Sequence, residues 1–149
     1  MARQRDVANK PPVRRRAVAE GEITLRPSTR RAIRRREVEK GDPVSAAELA
    51  GLLAMKRTSE LIPHCHVVPL TSSRVEVRPS GRGVRVRAEA ETVDRTGVEM
   101  EALVAATVAL LTVWDMVKYL EKDARGLYPA TSLGPVRVVS KEKAGGTEA

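Results

Sequence analysis

Two neighbouring segments with alternating side chains constrain the fold of this chain more than any other feature. Apolar and polar residues alternate in "RVEVR" at 74–78 and in "GVRVRAEAETV" at 83–93, and the turn-rich "PSGRG" at 79–83 joins the two segments. Alternation with period two is typical of strands that bury one face, and a short connection containing glycine predicts a β-hairpin. An antiparallel sheet is therefore the expected frame of the fold.

A long helix is predicted on each side of this hairpin. The first must end before Pro63, because proline cannot continue a helix. Each helix begins with a pair at the spacing of a capping box: Ser45 with Glu48 in the first, and Thr96 with Glu99 in the second, which is predicted to extend to 123. Both segments are long enough to cover a sheet.

Shorter elements complete the predicted order. We expect strands in "EITLRP" at 22–27 and "PVRVVS" at 135–140, and a short helix at 28–41 capped by Ser28. The order is β-α-β-β-α-β with one extra short helix. It predicts an α+β fold, a ferredoxin-like βαββαβ antiparallel sheet with the long helices packed on one face.

One domain is expected over residues 1–149, with flexible ends at about 1–20 and 142–149. Helices on one face leave the other face of the sheet bare. A second copy of the chain is the usual cover for such a face, so we expect a homo-oligomer.

The composition limits the core and the location of the protein. The chain has no Phe, and its only aromatic residues are Trp114, Tyr119 and Tyr128, so the core is expected to be aliphatic. A single cysteine excludes an intramolecular disulfide, and no apolar signal region follows the basic N-terminus, which favours a cytoplasmic protein. The uncharged stretch at 102–114 is shorter than the roughly 18 residues that span a bilayer, so it predicts a buried helix and no membrane partner.

The positive charge is concentrated near the N-terminus. The net charge is +8, and residues 1–36 hold twelve Lys and Arg against three acidic residues. Such a cluster suits an anionic partner, either nucleic acid or a small polyphosphate. A solvated charged face is the alternative.

The segment "LIPHCH" at 61–66 contains the only cysteine and both histidines. In extended backbone His64 and His66 would share one face, with Cys65 on the other. The pair could bind a metal or a phosphate or transfer protons, and the alternative is a structural role in which backbone groups satisfy both rings. A metal would need further ligands from carboxylates.

The second long helix turns charged near its end. Asp115 and Lys118 lie one turn apart, and Glu101 falls within about 40° of Asp115 around the helix axis. Such a row could form a site in which burial and neighbouring charges shift a pKa. An ordinary surface ion pair is the alternative.

Two blocks, "AMKRTSELIPHCH" at 54–66 and "TGVEMEALVAATVALLTVWDMVK" at 96–118, closely resemble the signature blocks of the cyclic pyranopterin monophosphate synthase family of molybdenum cofactor biosynthesis. "DVANK" at 6–10, "EKGD" at 39–42 and "GPVRVVSK" at 134–141 extend the likeness to nearly the whole chain. The resemblance implies a ferredoxin-like fold in a hexamer, a trimer of dimers, with active sites at subunit boundaries.

The resemblance also implies an activity and a site. The enzyme would be a lyase that rearranges 3′,8-cyclo-7,8-dihydroguanosine 5′-triphosphate to the cyclic pterin monophosphate and releases pyrophosphate, without a required cofactor, although Mg²⁺ could accompany the triphosphate. The implied catalytic residues are Asp115, Lys118 and Lys40. The implied substrate-binding residues are His64, Cys65, His66, Met100, Glu101, Lys56 and Arg15. The family has leucine where this chain has His64, so the role of His64 is not inherited.

The implied chemistry explains these residue types. Ring opening, ring closure and pyrophosphate release require repeated proton transfers, which Asp115 and a lysine of lowered pKa could perform. The triphosphate requires cations, which Lys40, His66 and the N-terminal arginines of a neighbouring subunit could supply. Two other functions stay open: RNA binding, which the absence of aromatic residues from the predicted strands disfavours, and metal-dependent hydrolysis at His64 and His66.

Overall fold

The computed structural model describes residues 1–144 and 146–147 of the chain. Four helices are present among them: α1 Pro27–Arg34, α2 Pro43–Met55, α3 Thr58–Leu61 and α4 Glu99–Glu121. Six strands form the sheet: β1 Val13–Thr24, β2 Leu70–Pro79, β3 Gly83–Asp94, β4 Ser132–Leu133, β5 Arg137–Lys143 and β6 Gly146–Thr147.

The strands form one antiparallel sheet in the order β2-β3-β1-β5-β6, with the short β4 paired to the end of β1. The β2–β3 hairpin is confirmed, and it turns through residues 80–82. Helices α2 and α4 pack together, and α4 lies on β1 and β3. The α+β class is confirmed, and the arrangement is consistent with the predicted ferredoxin-like βαββαβ fold.

The first strand differs from its prediction. We expected residues 1–20 to be flexible and a strand at 22–27, but β1 covers Val13–Thr24 and lies in the middle of the sheet between β3 and β5. The prediction of flexibility is therefore wrong for residues 13–20. These residues form a strand because the small side chains of Ala17 and Ala19 point into the core, while charged residues of the segment "RRRAVAEGE" pair with residues of the neighbouring strand β3.

The C-terminal end differs in the same way. Residues 142 and 143, which we expected to be flexible, belong to β5 and pair with β1 in register, Glu142 opposite Arg16 and Lys143 opposite Arg15. Residues 145, 148 and 149 of the predicted flexible segment lie outside the described residues.

None of the predicted helix caps is present. Helix α2 begins at Pro43, and the side chain of Asp42 caps it by accepting a hydrogen bond from the amide of Val44. No side chain caps α1 or α4. Proline at the first helical position moves a helix start towards the N-terminus, which explains why the start of α2 lies before Ser45. The predicted single helix before Pro63 is divided into α2 and α3.

The core is aliphatic, as predicted. Small side chains on α4 let it approach the sheet closely, and larger ones fill the space between them. The buried residues of this helix include Ala102, Ala105, Ala106, Ala109, Leu110, Val113 and Val117. Within the described residues α4 is the one helix long and apolar enough to cross a membrane, but this buried stripe makes it the core helix of the domain.

The open face of the sheet is charged. Successive side chains of a strand point to opposite faces, so Arg16 points away from α4. Its guanidinium contacts Glu89 at 2.7 Å and Glu142 at 3.3 Å, and Arg87 contacts Glu20 at 2.7 Å on the same face. Paired charges can face water without a partner protein. We had expected a bare apolar face that a second copy would cover, and this charged face does not provide that argument for an oligomer.

A buried carboxylate fixes the end of α4. Glu121 is fully buried and accepts hydrogen bonds from the hydroxyls of Thr29 and Thr131 and from the amide of Arg26. These contacts connect the end of α4 to the start of α1 and to the loop that precedes β4.

Replacing Glu121 with alanine is expected to destabilise the protein by about 2–3 kcal/mol, because three donors lose their acceptor in a buried place. Urea unfolding should show this loss as a lower midpoint. The exposed Glu60 provides the control, since Glu60→Ala should change stability by less than about 0.5 kcal/mol. Equal effects of the two substitutions would contradict a structural role for Glu121.

Candidate active site

A cavity of about 410 Å³ opens at the N-terminal end of α4. Its volume suits a ligand of small-molecule size. The N-terminal segment, the residues before β2, the start of α4 and strand β5 all contribute to its wall. Five of its lining residues are cationic: Arg5, Lys10, Arg15, Lys141 and Lys143.

Arg15 is the most buried of these cations, at 7% exposure. It lies on β1, on the face that carries Ala17 and Ala19 towards the core. Its Nε is buried and has no hydrogen-bond partner among the described residues. A buried guanidinium with an unused donor at the wall of a cavity is suited to bind an anion, because such a donor is costly to leave unsatisfied.

The histidines hold the N-terminal segment at the edge of this cavity. His64 Nδ1 donates to the carbonyl of Arg3 at 2.7 Å, and His66 Nε2 donates to the carbonyl of Arg5 at 2.6 Å. Because a carbonyl can only accept, each of these ring nitrogens carries a proton. One nitrogen of each ring has a backbone partner, as in the structural alternative, and both rings also line the cavity. The segment 64–66 lies before β2, which begins at Leu70, so the two histidines are not part of a strand.

Glu101 is the acidic group with the most altered titration in the cavity wall. Its side chain is 4% exposed, and burial raises its pKa to about 7, with a smaller contribution from the charge of Glu99. Burial also raises the pKa of the Cys65 thiol, and the charges of Glu101 and Glu99 add to that effect. A carboxyl group with a pKa near neutrality can both give and accept a proton at physiological pH.

The raised pKa predicts a pH dependence of stability. The Glu101 carboxyl has an ordinary pKa of 4.5 in the unfolded chain and a pKa of about 7 in the folded protein, so the folded state binds more protons between these values. The stability that this raised pKa contributes to the folded state is fully present below pH 4.5 and is lost as the pH rises through 7. Glu101→Gln should remove this decline, which amounts to about 3 kcal/mol.

Urea unfolding at pH 4.5 and at pH 8 measures the difference. We expect Glu101→Gln to match the wild type at the lower pH and to be more stable at the higher one. Glu60→Gln on the exposed surface is the control and should follow the wild type. Parallel pH profiles for all three proteins would be incompatible with a raised pKa at Glu101.

A second cluster of charged residues lies on α4 and on the loop that follows α1. Lys118 Nζ lies 3.0 Å from Asp115 Oδ1, and Lys40 Nζ lies 3.3 Å from Asp115 Oδ2 and donates to its backbone carbonyl at 3.0 Å. All three side chains are about half exposed. The hydrogen bonds from Lys118 and Lys40 lower the pKa of Asp115, and the hydrogen bond to Asp115 raises the pKa of Lys118.

This result corrects one expectation. We predicted a lysine of lowered pKa beside Asp115, but the pKa of Lys118 is raised. The reason is that the ammonium group keeps much of its contact with water and gains a carboxylate partner, so the charged form is favoured.

The predicted site residues therefore fall into two groups. Six of them line the cavity: Arg15, His64, Cys65, His66, Met100 and Glu101. Asp115, Lys118 and Lys40 form the second cluster. Asp115 lies fourteen positions after Glu101 on α4, which corresponds to about 21 Å along the helix axis. Lys56 belongs to neither group, since it caps the end of α2 and does not line the cavity.

Several cavity residues were missed by the reasoning from sequence. Arg5, Lys10, Glu99, Lys141 and Lys143 all contribute to its wall. The signal for Glu99 was its place in the block "VEME", and for Lys10 its place in "DVANK". Lys141 and Lys143 reach the cavity because β5 pairs with β1 beside Arg15.

The described residues contain no group of three or more His, Cys, Asp and Glu side chains that could hold a metal ion. The charged side chains that line the cavity are therefore the five cationic residues and the two acidic residues Glu99 and Glu101.

Comparisons with known proteins show the family of this chain. A sequence profile of the MoaC family matches residues 4–146. The chain is 52% identical over 140 residues to a protein of Archaeoglobus fulgidus named probable cyclic pyranopterin monophosphate synthase, with 94% of this chain and 90% of that protein covered. A protein of the same name from Sulfolobus acidocaldarius is 49% identical over 141 residues, with 95% and 99% covered.

A third relative comes from Methanothermobacter thermautotrophicus and is named probable cyclic pyranopterin monophosphate synthase accessory protein. It is 48% identical over 138 residues, with 93% of this chain and 87% of that protein covered. Because the family profile spans almost the whole chain and these relatives are about half identical to it, the chain belongs to the MoaC family.

Proposed function

We propose that this chain is a cyclic pyranopterin monophosphate synthase, a lyase of molybdenum cofactor biosynthesis. It converts 3′,8-cyclo-7,8-dihydroguanosine 5′-triphosphate to cyclic pyranopterin monophosphate and pyrophosphate. The observation that carries this proposal is a cavity lined by five cations, including the buried Arg15, in a chain about half identical to proteins that bear this name.

The cations of the cavity bind the triphosphate in this proposal. Arg15 presents its guanidinium to a phosphate at the cavity wall, and Lys141 and Lys143 add charge from β5. His64, Cys65, His66 and Met100 contact the remainder of the substrate. Because the same cations face the leaving pyrophosphate, they also stabilise the charge that develops on it.

The proton transfers are divided between the two groups of residues. Asp115, Lys118 and Lys40 act as acids and bases at the rearranging ring, with the lysines entering the reaction as ammonium acids. Glu101 assists from the cavity side, because its pKa of about 7 allows either direction of transfer. A catalytic cycle requires both groups at one substrate.

Two copies of the chain meet this requirement. A twofold axis that crosses α4 near Val108, midway between Glu101 and Asp115, would bring Glu101 of one copy close to Asp115 of the other. Exposed apolar side chains on the two packed helices support such an interface, since Leu111 on α4 is 49% exposed and Leu49 on α2 is 60% exposed. We propose three such pairs in a hexamer, as the resemblance implies.

The proposal requires no cofactor. Asp115, Lys118, Lys40 and Glu101 supply acid and base groups, and any Mg²⁺ would enter with the triphosphate. A cytoplasmic location follows from the nucleotide-derived substrate. A metal-dependent hydrolase would instead lose activity on chelation, and an RNA-binding module would need stacking residues, which the strands of the sheet do not contain.

Incubation of the purified protein with the cyclised guanosine triphosphate tests the proposal. We expect cyclic pyranopterin monophosphate, detected by fluorescence after oxidation, and one equivalent of pyrophosphate. If Mg²⁺ is removed with a chelator and another cation accompanies the triphosphate, we expect the yield of pterin product to stay the same. Absence of both products with authentic substrate would contradict the proposed activity.

A further inference from the structure

Tyr119 contacts the backbone of the turn that contains Lys40. Its phenolic oxygen accepts a hydrogen bond from the amide of Glu39 at 2.7 Å. Tyr119 lies on α4, one helical turn after Asp115, so both side chains project from neighbouring positions on the same helix face. The helix therefore holds this turn at two points, the Glu39 amide and the Lys40 ammonium.

The turn that contains Lys40 lies between α1 and α2. Its closing hydrogen bond runs from the amide of Gly41 to the carbonyl of Val38 at 3.1 Å, and Val38 is buried in the core. Gly41 adopts a φ of +116°, a conformation that favours glycine. Glu39 and Lys40 occupy the exposed middle of this turn, where the contact with Tyr119 fixes the backbone.

We propose that Tyr119 is a positioning residue for Lys40. The phenol binds the Glu39 amide and so fixes the backbone position from which the Lys40 side chain extends to the Asp115 carboxylate. This inference rests on the proposed function in so far as Lys40 acts on the substrate. The positioning itself is a property of the two contacts and can be measured without substrate.

A positioning role predicts that loss of the Tyr119 hydroxyl lowers kcat but changes folding stability little. Tyr119 is 40% exposed, so the Glu39 amide can find water when the phenol is absent, and the effect on folding is small. A small displacement of a catalytic group can nevertheless lower a rate strongly. We expect Tyr119→Phe to lower kcat about tenfold with little change in KM.

The matched control is Ser80→Ala. The Ser80 hydroxyl accepts a hydrogen bond from the amide of Gly83 at 3.2 Å, so this variant also removes one side-chain contact with a turn, but it lies in the β2–β3 hairpin. It should leave kcat unchanged. Both variants should unfold at urea midpoints close to that of the wild type.

A titration of Asp115 gives the second measurement. Carbon-13 NMR of labelled aspartate should show the lowered pKa of Asp115 in the wild type and in Ser80→Ala, and a value closer to the ordinary one in Tyr119→Phe, because Lys40 then leaves the carboxylate more often.

The two measurements have distinct meanings. An unchanged Asp115 titration in Tyr119→Phe would overturn the positioning role, whatever the activity. A shifted titration with an unchanged kcat would equally contradict the inference, because Lys40 would then be positioned without use in the reaction. If the wild type forms no product, the proposed function fails, while the titration still decides whether Tyr119 positions Lys40.

Discussion

Replacement of Lys118 with alanine is expected to lower kcat for cyclic pterin formation by about 10²–10⁴-fold, the range that a general acid contributes. Lys118 Nζ lies 3.0 Å from the Asp115 carboxylate, and the pKa of Lys118 is raised by this contact, which favours its protonated form. Asp115→Asn should cause a loss of similar size, because both lysines then lose their carboxylate partner. KM should change little, since the cations of the cavity remain. Single-turnover kinetics with the cyclised guanosine triphosphate measures this effect.

A matched variant distinguishes chemistry from a general loss of charge. Lys122 is an exposed lysine at the end of the same helix, and Lys122→Ala removes the same charge outside the cluster. It should retain wild-type kcat. Gel filtration should give all variants the elution volume of the wild type. A loss of less than tenfold in Lys118→Ala would exclude Lys118 as the acid.

The hairpin and α4 could be predicted from sequence because their periodicity is local and strong. Val75 and Val77 alternate with charges in β2, and the apolar run of α4 has no charge between Glu101 and Asp115. The start of β1 lacks such a signal. Its buried positions hold Ala17 and Ala19, which are weakly hydrophobic, and its charged residues find partners only after β3 and β5 pair with it.

The helix starts show a second limit of local patterns. Ser45 and Glu48 have the spacing of a capping box, but Asp42 caps α2, and the carboxylate of Glu48 instead accepts from the amide of Val77 on β2. A competing tertiary contact thus decides the role of Glu48. Sequence spacing cannot reveal such a contact between residues 29 positions apart.

The site was predicted in its parts but not in its arrangement. The residues around His66 and Glu101 meet at one cavity, and Asp115 and Lys118 form an ion pair as their spacing indicates. The contribution of β5 depends on strand pairing between distant segments, which a local pattern does not contain. The direction of the Lys118 pKa shift depends on exposure, which the sequence also leaves undetermined.

The distance between the two groups of residues is the strongest constraint on the mechanism. About 21 Å of helix separates Glu101 from Asp115 within one copy, which exceeds the reach of their side chains. If both groups act on one substrate, each active site must combine the cavity of one copy with the Asp115 cluster of another.

This conclusion predicts complementation between two inactive variants. Arg15→Met damages the cavity but keeps the apolar stem of the side chain, and Lys118→Ala damages the other cluster. Each variant alone should have almost no activity. In mixed assemblies some sites combine an intact cavity with an intact Asp115 cluster, and equal random mixing yields about a quarter of the wild-type number of sites.

Activity of co-expressed Arg15→Met and Lys118→Ala, purified together through two different affinity tags, is the most direct test of a site shared between copies. We expect recovery to about a quarter of wild-type kcat or more, because purification through both tags enriches mixed assemblies. Mixed assemblies that remain as inactive as either variant alone would contradict a shared active site.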